Sequence, residues 1–234
     1  MSATDAKTQP PRPALTANWR VVAMLALGFV LLALAARGPS THAIDLRVSD
    51  WVQQWVGPFG ESLAVAGNAL GYSATAVVLL AIAWVGLALL RRRQELWFLL
   101  FLVVGRLAAT VLKELLDSPR PTADEVTVVG SFDTWGFPSG HVTTATVTLG
   151  ATAWLMQRLL PAYDLRMPLL MAWAIGVAIA AWARIWYGAH WFTDTVGGAL
   201  VGTVIVLVAA NLSAIVTARR AHARQPAPTQ TPAP

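Results

Sequence analysis

The chain has 234 residues, of which 56% are hydrophobic and only 12% are charged, and its mean hydropathy is +0.56. Soluble domains carry about a quarter charged residues, so this composition excludes an ordinary soluble protein and indicates an integral membrane protein. The absence of cysteine excludes a disulfide framework and a thiolate metal site. The net charge of +5 taken alone would suit nucleic acid, but the positions of the charges argue against that partner.

Six apolar runs qualify as membrane spans, each of which needs roughly 20 residues. They cover approximately residues 19–36, 72–90, 96–116, 141–160, 167–187 and 192–215. We therefore predict an all-α integral membrane bundle of six transmembrane helices, forming one domain over residues 19–216. Residues 1–18 are polar and precede a long apolar run without a clear cleavage site, so they do not resemble a signal peptide. The two ends, 1–18 and 217–234, are predicted to be disordered cytoplasmic tails.

The charges predict the orientation of these spans. If the N-terminus is cytoplasmic, eleven of the 17 basic residues lie inside and five lie outside, which fits the positive-inside rule with both termini inside. The inner set is Lys7, Arg12, Arg20, Arg91, Arg92, Arg93, Arg158, Arg166, Arg219, Arg220 and Arg224. The outer set is Arg37, Arg47, Lys113, Arg120 and Arg184, while Arg106 lies within a span.

The first outer loop carries an apolar stripe at helical spacing. Its members are Ile44, Val48, Trp51, Val52, Trp55 and Val56. This period predicts an amphipathic helix, and its two tryptophans favour the outer membrane–water interface. The alternative is a helix packed against the other spans, and the sequence does not separate the two.

The third span contains basic residues near the middle of the membrane and at its outer end. Arg106 and Lys113 are seven residues apart and share a helical face, with Thr110 between them. A charge at this depth normally faces protein or a wet cavity. Arg106 is therefore either a basic residue below a binding site or a structural partner of backbone carbonyls.

Gly136-Phe137-Pro138-Ser139-Gly140-His141 connects an acidic outer loop of about 20 residues to the fourth span. Pro138 disfavours helix at the residue before it, and Ser139 is a good N-cap. The free N–H groups and positive dipole of a helix N-terminus favour a phosphate there. Alone, the motif is equally compatible with an apolar helix start that happens to contain a histidine.

The remaining outer span ends supply partners for this motif. Lys113 and Arg120 follow the third span, Arg184 ends the fifth, and His190 and Asp194 begin the sixth. Three cations, two histidines and a carboxylate thus gather at one membrane depth beside a helix N-terminus. This set suits a phosphate dianion and its transition state. A metal site is disfavoured, because the potential ligands are too few beside three cations, so no cofactor is expected.

The spacing of His190 and Asp194, four residues apart, allows the carboxylate to orient the imidazole. The other ring nitrogen would then attack phosphorus. His141, on a different helix, would protonate the leaving oxygen and later activate water.

Three segments together resemble a known family signature. They are Lys113-x6-Arg120-Pro121, Pro138-Ser139-Gly140-His141 and Arg184-x5-His190-x3-Asp194. They resemble the signature of the type 2 phosphatidic acid phosphatases, also called lipid phosphate phosphatases, in its bacterial membrane-integral branch. That superfamily shares its site with vanadium haloperoxidases and bacterial acid phosphatases, although a soluble haloperoxidase is improbable here because of the spans.

The resemblance implies a role for each matching residue. Lys113, Arg120 and Arg184 would bind phosphate, with added hydrogen bonds from Ser139 and the Gly140 amide. His190 would be the nucleophile that forms a phosphohistidine, Asp194 its orienting residue and His141 the general acid. Ala183 departs from the usual serine before the arginine of the third motif. That loses a hydroxyl donor, worth about 0.5–1.5 kcal/mol, and we expect Ala183→Ser to leave activity intact or raise it.

The leading hypothesis is a metal-independent phosphatase in the plasma (inner) membrane, acting at the extracytoplasmic face on a lipid substrate that enters from the bilayer. A polyprenyl diphosphate is the first expected substrate, followed by phosphatidate or phosphatidylglycerophosphate. A lipid phosphotransferase would use the same residues. A non-catalytic binder or transporter would need the cations but not the His190–Asp194 pair, so the intact pair disfavours it. The sequence does not indicate an oligomeric state.

Overall fold

The computed structural model of the protein describes residues 18–36 and 38–223, and all regular structure within them is helical. Eight helices follow one another along these residues. They are α1 (Trp19–Ala35), α2 (Pro39–Gln53), α3 (Pro58–Leu70), α4 (Ser73–Leu89), α5 (Arg93–Leu116), α6 (Gly140–Leu159), α7 (Arg166–Trp186) and α8 (Phe192–His222). The all-α class predicted from the sequence is confirmed.

The number of helices able to cross a membrane is smaller than six by length and hydropathy alone. Among the described residues three helices qualify, α5, α7 and α8. The count reaches five if the bent pairs α1–α2 and α3–α4 each form one span. α6 is long enough, but five threonines lower its hydropathy. The chain is a multi-pass membrane protein, and the arrangement of six spans stays a prediction.

The predicted amphipathic segment of the first outer loop is helical as α2. Trp51 and Ile44 of the predicted stripe are exposed, whereas Val52 is buried. The face turned inward also carries two polar residues, Asp45 and Ser49. α2 therefore packs on the bundle with one face and exposes apolar side chains on the other, and its position at the membrane interface stays a prediction.

The hydrophobic core lies where α5, α6 and α8 meet. Phe98 of α5 stacks on Trp154 of α6 with ring centroids 3.9 Å apart, and Leu102 and Ile205 pack in the same cluster. Ten residues of α6 are buried, and the helix also contacts α3, α4 and α7. This central position places the N-terminus of α6 among the ends of the other helices.

Glycines at the start of α8 allow it to approach α6 closely. A Cβ at Gly198 would lie 2.7 Å from the carbonyl oxygen of Ser139, and one at Gly202 would lie 2.7 Å from Cβ of Thr146. A Cβ at Gly197 would meet the ring of Phe137. At these three positions a side chain would prevent the close approach of α8 to α6 and to the segment before it.

The ends of four helices meet at one end of the bundle. α5 stops at Asp117, which adopts a left-handed conformation with φ of 45°, and the irregular segment 117–139 follows it. That segment leads to the N-terminus of α6, and the α7–α8 turn contacts it where the Val129 N–H donates to the Tyr187 carbonyl at 2.9 Å. All three predicted motifs are therefore brought together.

The far end of α8 differs from the predicted domain boundary. The helix runs through His222, so residues 217–222, predicted to be disordered, are helical. The apolar pattern weakens there, but a helix already started continues through Arg219 and Arg220 because basic residues favour a helix C-terminus. The predicted tails otherwise fall on residues 1–17 and 224–234, outside the described residues.

Candidate active site

A cavity of about 550 Å³ lies at the end of the bundle where the motifs meet. Seven of the predicted site residues line it, namely Arg106, Lys113, Arg120, Gly140, His141, Arg184 and His190. Ser139 and Asp194 lie directly behind this lining and are buried. Four cations and two imidazoles thus share one cavity, a charge balance that suits a phosphate dianion.

The imidazole of His190 is held from both sides. Its Nδ1 lies 3.2 Å from Oδ2 of Asp194, and its Nε2 lies 3.2 Å from Nη1 of Arg120. A guanidinium only donates hydrogen bonds, so Nε2 is the acceptor. The ring proton therefore sits on Nδ1 and is donated to Asp194. Nε2 lines the cavity, and Arg120 must release its single lone pair before that nitrogen can attack phosphorus.

His190 is kept neutral by its surroundings. Its side chain is almost completely buried, and burial, followed by the positive charges of Arg120, Lys113 and Arg184, holds the pKa of His190 well below its ordinary value. Both effects disfavour the imidazolium. These surroundings therefore favour the neutral imidazole, which is the form that the predicted nucleophile requires.

Asp194 occupies the first turn of α8. Its Oδ2 also accepts the backbone N–H of Trp191 at 3.1 Å, so the carboxylate caps the helix that carries it. Its backbone carbonyl accepts the N–H of Ser139 at 2.9 Å, joining α8 to the N-terminus of α6. Asp194 is thus connected both to His190, the predicted nucleophile, and to the Pro138-Ser139-Gly140-His141 motif.

Arg120 is held by the outer loop. Its Nε donates to the Thr134 carbonyl, its Nη2 to the Thr134 hydroxyl at 2.8 Å, and its Nη1 to the Ala189 carbonyl. Burial lowers the pKa of Arg120, and the charge of Asp194 acts in the opposite direction. An arginine retains its proton under such shifts, so the group remains a cation aimed at His190.

Arg184 is oriented by a residue that the sequence reasoning missed. Nη1 of Arg184 donates to Oδ1 of Asn68, on α3, at 2.6 Å, while its buried Nε has no partner in the described residues. The ring of Phe132 lies 5.2 Å from the guanidinium carbon of Arg120 and 5.3 Å from that of Arg184. Asn68 was detectable only as a polar residue within an apolar run, and Phe132 gave no sequence signal.

The helix N-terminus of the central motif is arranged as predicted, but its serine is not exposed to the cavity. Ser139 is fully buried, and its Oγ has no partner in the described residues. Gly140 lines the cavity near Nη2 of Arg106. The ring of His141 projects into the cavity next to Tyr72, with centroids 5.8 Å apart. A phosphate in the cavity would thus meet the Gly140 backbone and His141 directly.

Two further positions answer questions left by the sequence. Arg106 lines the cavity, and it donates to the hydroxyls of Thr144 at 3.2 Å and Thr110 at 2.6 Å rather than to the backbone carbonyls considered for it. Ala183 is fully buried and faces Gly67 of α3, and it is not among the cavity lining. The hydroxyl that the resemblance would place there is therefore replaced by α3–α7 packing.

The helical bundle and its cationic cavity fit the expected membrane phosphatase, and comparison with known proteins gives the family. The chain belongs to the PAP2 superfamily, whose profile matches residues 94–217. It is 28% identical over 185 residues to phosphatidylglycerophosphatase B of Bacillus subtilis, covering 77% of this chain and 89% of that protein.

A solved structure has the same fold. It is described as the crystal structure of a transmembrane PAP2 type phosphatidylglycerolphosphate phosphatase from Bacillus subtilis. The TM-score is 0.75 at 22% identity, covering 83% of this chain and 96% of that one. The family resemblance and the phosphatase activity predicted from the sequence are confirmed.

Proposed function

We propose that this protein hydrolyses a lipid phosphate through a phosphohistidine intermediate, without a metal ion. The observation that carries the proposal is the line of contacts from Asp194 through His190 to Arg120. That line fixes the tautomer with Nε2 unprotonated at the cavity, where a bound phosphate would draw Arg120 away and free the lone pair for attack. A purely structural histidine would not need a buried carboxylate on one nitrogen and a guanidinium on the other.

The proposed reaction has two steps. In the first, Nε2 of His190 attacks phosphorus, the phosphorus–oxygen ester bond breaks, and His141 gives its proton to the departing lipid oxygen. In the second, His141 takes a proton from water, which attacks the phosphohistidine and releases inorganic phosphate. Arg120, Arg184 and Lys113 would stabilise the charge on the equatorial oxygens in both transition states.

An apolar groove next to the cavity supports a lipid substrate. It has a volume of about 310 Å³, lies between α4, α5 and α6, and is lined by side chains such as Val77, Leu102 and Val147. Arg106, Thr110 and Ser73 line both the groove and the polar cavity. A substrate with its phosphate among the cations would have a direct path for its hydrocarbon tail toward the bilayer.

The relatives change the order of expected substrates. The sequence placed a polyprenyl diphosphate first, whereas both Bacillus subtilis relatives are named for a phosphatidylglycerophosphate activity. We therefore propose phosphatidylglycerophosphate as the first substrate to test, with phosphatidate and a polyprenyl diphosphate next. A phosphotransferase would differ only in the acceptor of the second step.

We also propose that α1 and α4–α8 are the six spans and that the site faces the extracytoplasmic side. The eleven-to-five distribution of basic residues supports this orientation. α2 and α3 would then lie near the outer interface, where the exposed Trp51 and Trp55 are favourable. Labelling of single introduced cysteines in intact cells, at positions 47 and 220, tests the assignment, since only the first is expected to react with an impermeant reagent.

The substrate is tested with purified protein in EDTA and a panel of phosphatidylglycerophosphate, phosphatidate and a prenyl diphosphate. We expect phosphate release from at least one of them, and none from His190→Ala. Unchanged release by that variant would contradict the assignment of the nucleophile. Adding a lipid acceptor and analysing the lipid products distinguishes a phosphotransferase from a hydrolase.

A further inference from the structure

Asp45 is a buried carboxylate outside the three motifs and outside the family match. It lies on α2 with its side chain 1% exposed, on the inward face shared with Ser49 and Val52. A buried carboxylate is costly unless hydrogen bonds compensate it. Its partners therefore indicate what it does.

Both oxygens of Asp45 bind one residue of α8. Oδ1 accepts the backbone N–H of Thr193 at 2.9 Å, and Oδ2 accepts the Thr193 hydroxyl at 2.8 Å. Thr193 is the second residue of α8, where backbone N–H groups lack partners within the helix and the dipole favours a negative charge. A residue from α2 thus satisfies the first turn of a helix almost 150 residues later in the chain.

The next residue along that turn is Asp194. Its carboxylate accepts from Nδ1 of His190 and from the Trp191 N–H, and both bonds depend on the orientation of the same helical turn. We propose that Asp45 is a positioning residue for catalysis: by binding Thr193 at two points, it holds the first turn of α8 so that Asp194 meets His190. This inference rests on the proposed role of His190.

The C-terminal end of α2 is also attached to segments that carry the site. The Gln53 amide donates to the carbonyl of Thr127 at 2.6 Å and of Trp186 at 3.2 Å, and its Oε1 accepts the Thr127 N–H. Trp186 ends α7 two residues after Arg184. α2 is therefore anchored from its middle and from its C-terminal end to the segments that carry the site, and Asp45 is its anchor on the first turn of α8.

The chemistry of the pair selects the variants. In Asp45→Ala both hydrogen bonds are lost, whereas in Asp45→Asn the amide oxygen can accept the Thr193 N–H while the amide nitrogen donates to the hydroxyl. The asparagine variant therefore preserves position and removes charge. Thr193→Val removes only the hydroxyl bond, and Ser49→Ala alters the same buried face of α2 without touching the Asp45–Thr193 pair.

The test compares kcat and KM of purified, full-length variants on the lipid phosphate that the wild-type enzyme hydrolyses. Misplacing a reacting group by a fraction of an ångström is costly, so we expect Asp45→Ala to lower kcat at least about tenfold with KM within about twofold. The kcat of Asp45→Asn should be close to that of the wild type. The kcat of Thr193→Val should lie between those of Asp45→Ala and Asp45→Asn, and Ser49→Ala should have the wild-type kcat.

A double variant that changes both Asp45 and Asp194 distinguishes a positioning role of Asp45 from general structural damage. Asp45→Ala introduced into Asp194→Asn should lower the residual kcat by less than about twofold, because the orientation that Asp45 preserves no longer matters. A further tenfold loss would overturn the proposal, as would a wild-type kcat in Asp45→Ala. If Asp45→Ala does not yield folded protein, Thr193→Val in the same two backgrounds gives the same comparison.

Failure of the proposed function is recognisable separately. Normal turnover by the His190→Ala variant would contradict the role of His190. If turnover is lost in His190→Ala but unchanged in Asp45→Ala, only the positioning role of Asp45 is contradicted.

Discussion

At the scale of single residues, His190 lies between a donor and an acceptor of opposite charge. Arg120 approaches Nε2 and Asp194 accepts from Nδ1, so one contact keeps the ring neutral and the other sets its tautomer. The pairing of His190 with Asp194 was predictable from their spacing. The contact between His190 and Arg120 was not predictable, because the two residues are 70 positions apart and are brought together only by the fold of the outer loop.

The pH dependence of catalysis tests this arrangement. Neutral His190 is the reactive form and its pKa lies well below the ordinary value, so the wild-type kcat/KM should stay high below pH 6.5. In Arg120→Gln a cation beside Nε2 is lost, the imidazolium is less disfavoured, and the acid limb should move to higher pH. Arg47→Gln, on an exposed face of α2, is the control and should leave the limb in place. An unshifted limb in Arg120→Gln would contradict the electrostatic account.

The proposed role of His141 as proton donor can be tested by comparing substrates with different leaving groups. A diphosphate expels a phosphate, which needs less protonation than the alkoxide expelled by a monophosphate ester. We expect His141→Ala to lower kcat on a monoester by about 10²–10⁴-fold, the usual contribution of a general acid, and on a diphosphate by clearly less. Equal losses on both substrates, measured side by side with the same preparation, would count against His141 as the proton donor.

At the scale of helices, the packing of α3 on α7 holds Asn68 against Arg184. A Cβ at Gly67 would lie 2.7 Å from Cβ of Ala183 and would also meet the Ile179 backbone. Overpacking of this kind costs about 1–3 kcal/mol, so Gly67→Ala should lower the melting temperature and, by displacing Asn68, the activity.

Gly86→Ala is the matched control for that substitution. Gly86 is also a helical glycine, on α4, but an added Cβ there meets nothing within 4 Å. Its melting temperature should be unchanged or slightly raised, because alanine is the better helix former. Equal behaviour of the two variants would show that the α3–α7 contact does not constrain the site.

The helices that carry the three motifs were predictable from apolar runs and helix-breaking residues. α5, α6 and α7 begin and end within a few residues of the predicted spans, because Pro119, Pro121 and Pro138 interrupt the helical pattern between α5 and α6. The start of the site's fourth helix, α8, was likewise marked by the motif itself. The partition of residues 39–70 into two helices was missed, because only a stripe of six apolar positions was visible there.

The supporting residues of the site were beyond reach of sequence reasoning for a physical reason. Asn68, Phe132, Thr134 and Asp45 contact the site only because α2, α3 and the outer loop fold over it. Their neighbours in the chain carry no motif, and their partners lie 12 to 148 residues away. Local patterns identify chemistry-bearing residues, whereas their supports depend on tertiary packing.

At the scale of the whole molecule, the polar cavity and the apolar groove adjoin through shared lining residues, which is the basis for proposing one substrate path. Val77→Trp would fill the groove and should raise KM for a long-chain lipid phosphate about three- to tenfold, with no effect on a short-chain soluble ester. Val78→Trp is the control, since Val78 is exposed on the same helix but does not line the groove. A raised KM for both esters, or for neither, would contradict the assignment of the groove as the site of the lipid tail.

The most direct test of the account is the chemical identity of the intermediate. Enzyme mixed with a lipid carrying labelled phosphate and quenched within one turnover should retain label on His190, as an acid-labile and base-stable phosphohistidine located by peptide analysis. His190→Ala should retain none and release no phosphate. Label on another residue, or turnover by the wild type with no labelled protein at any time, would contradict the mechanism.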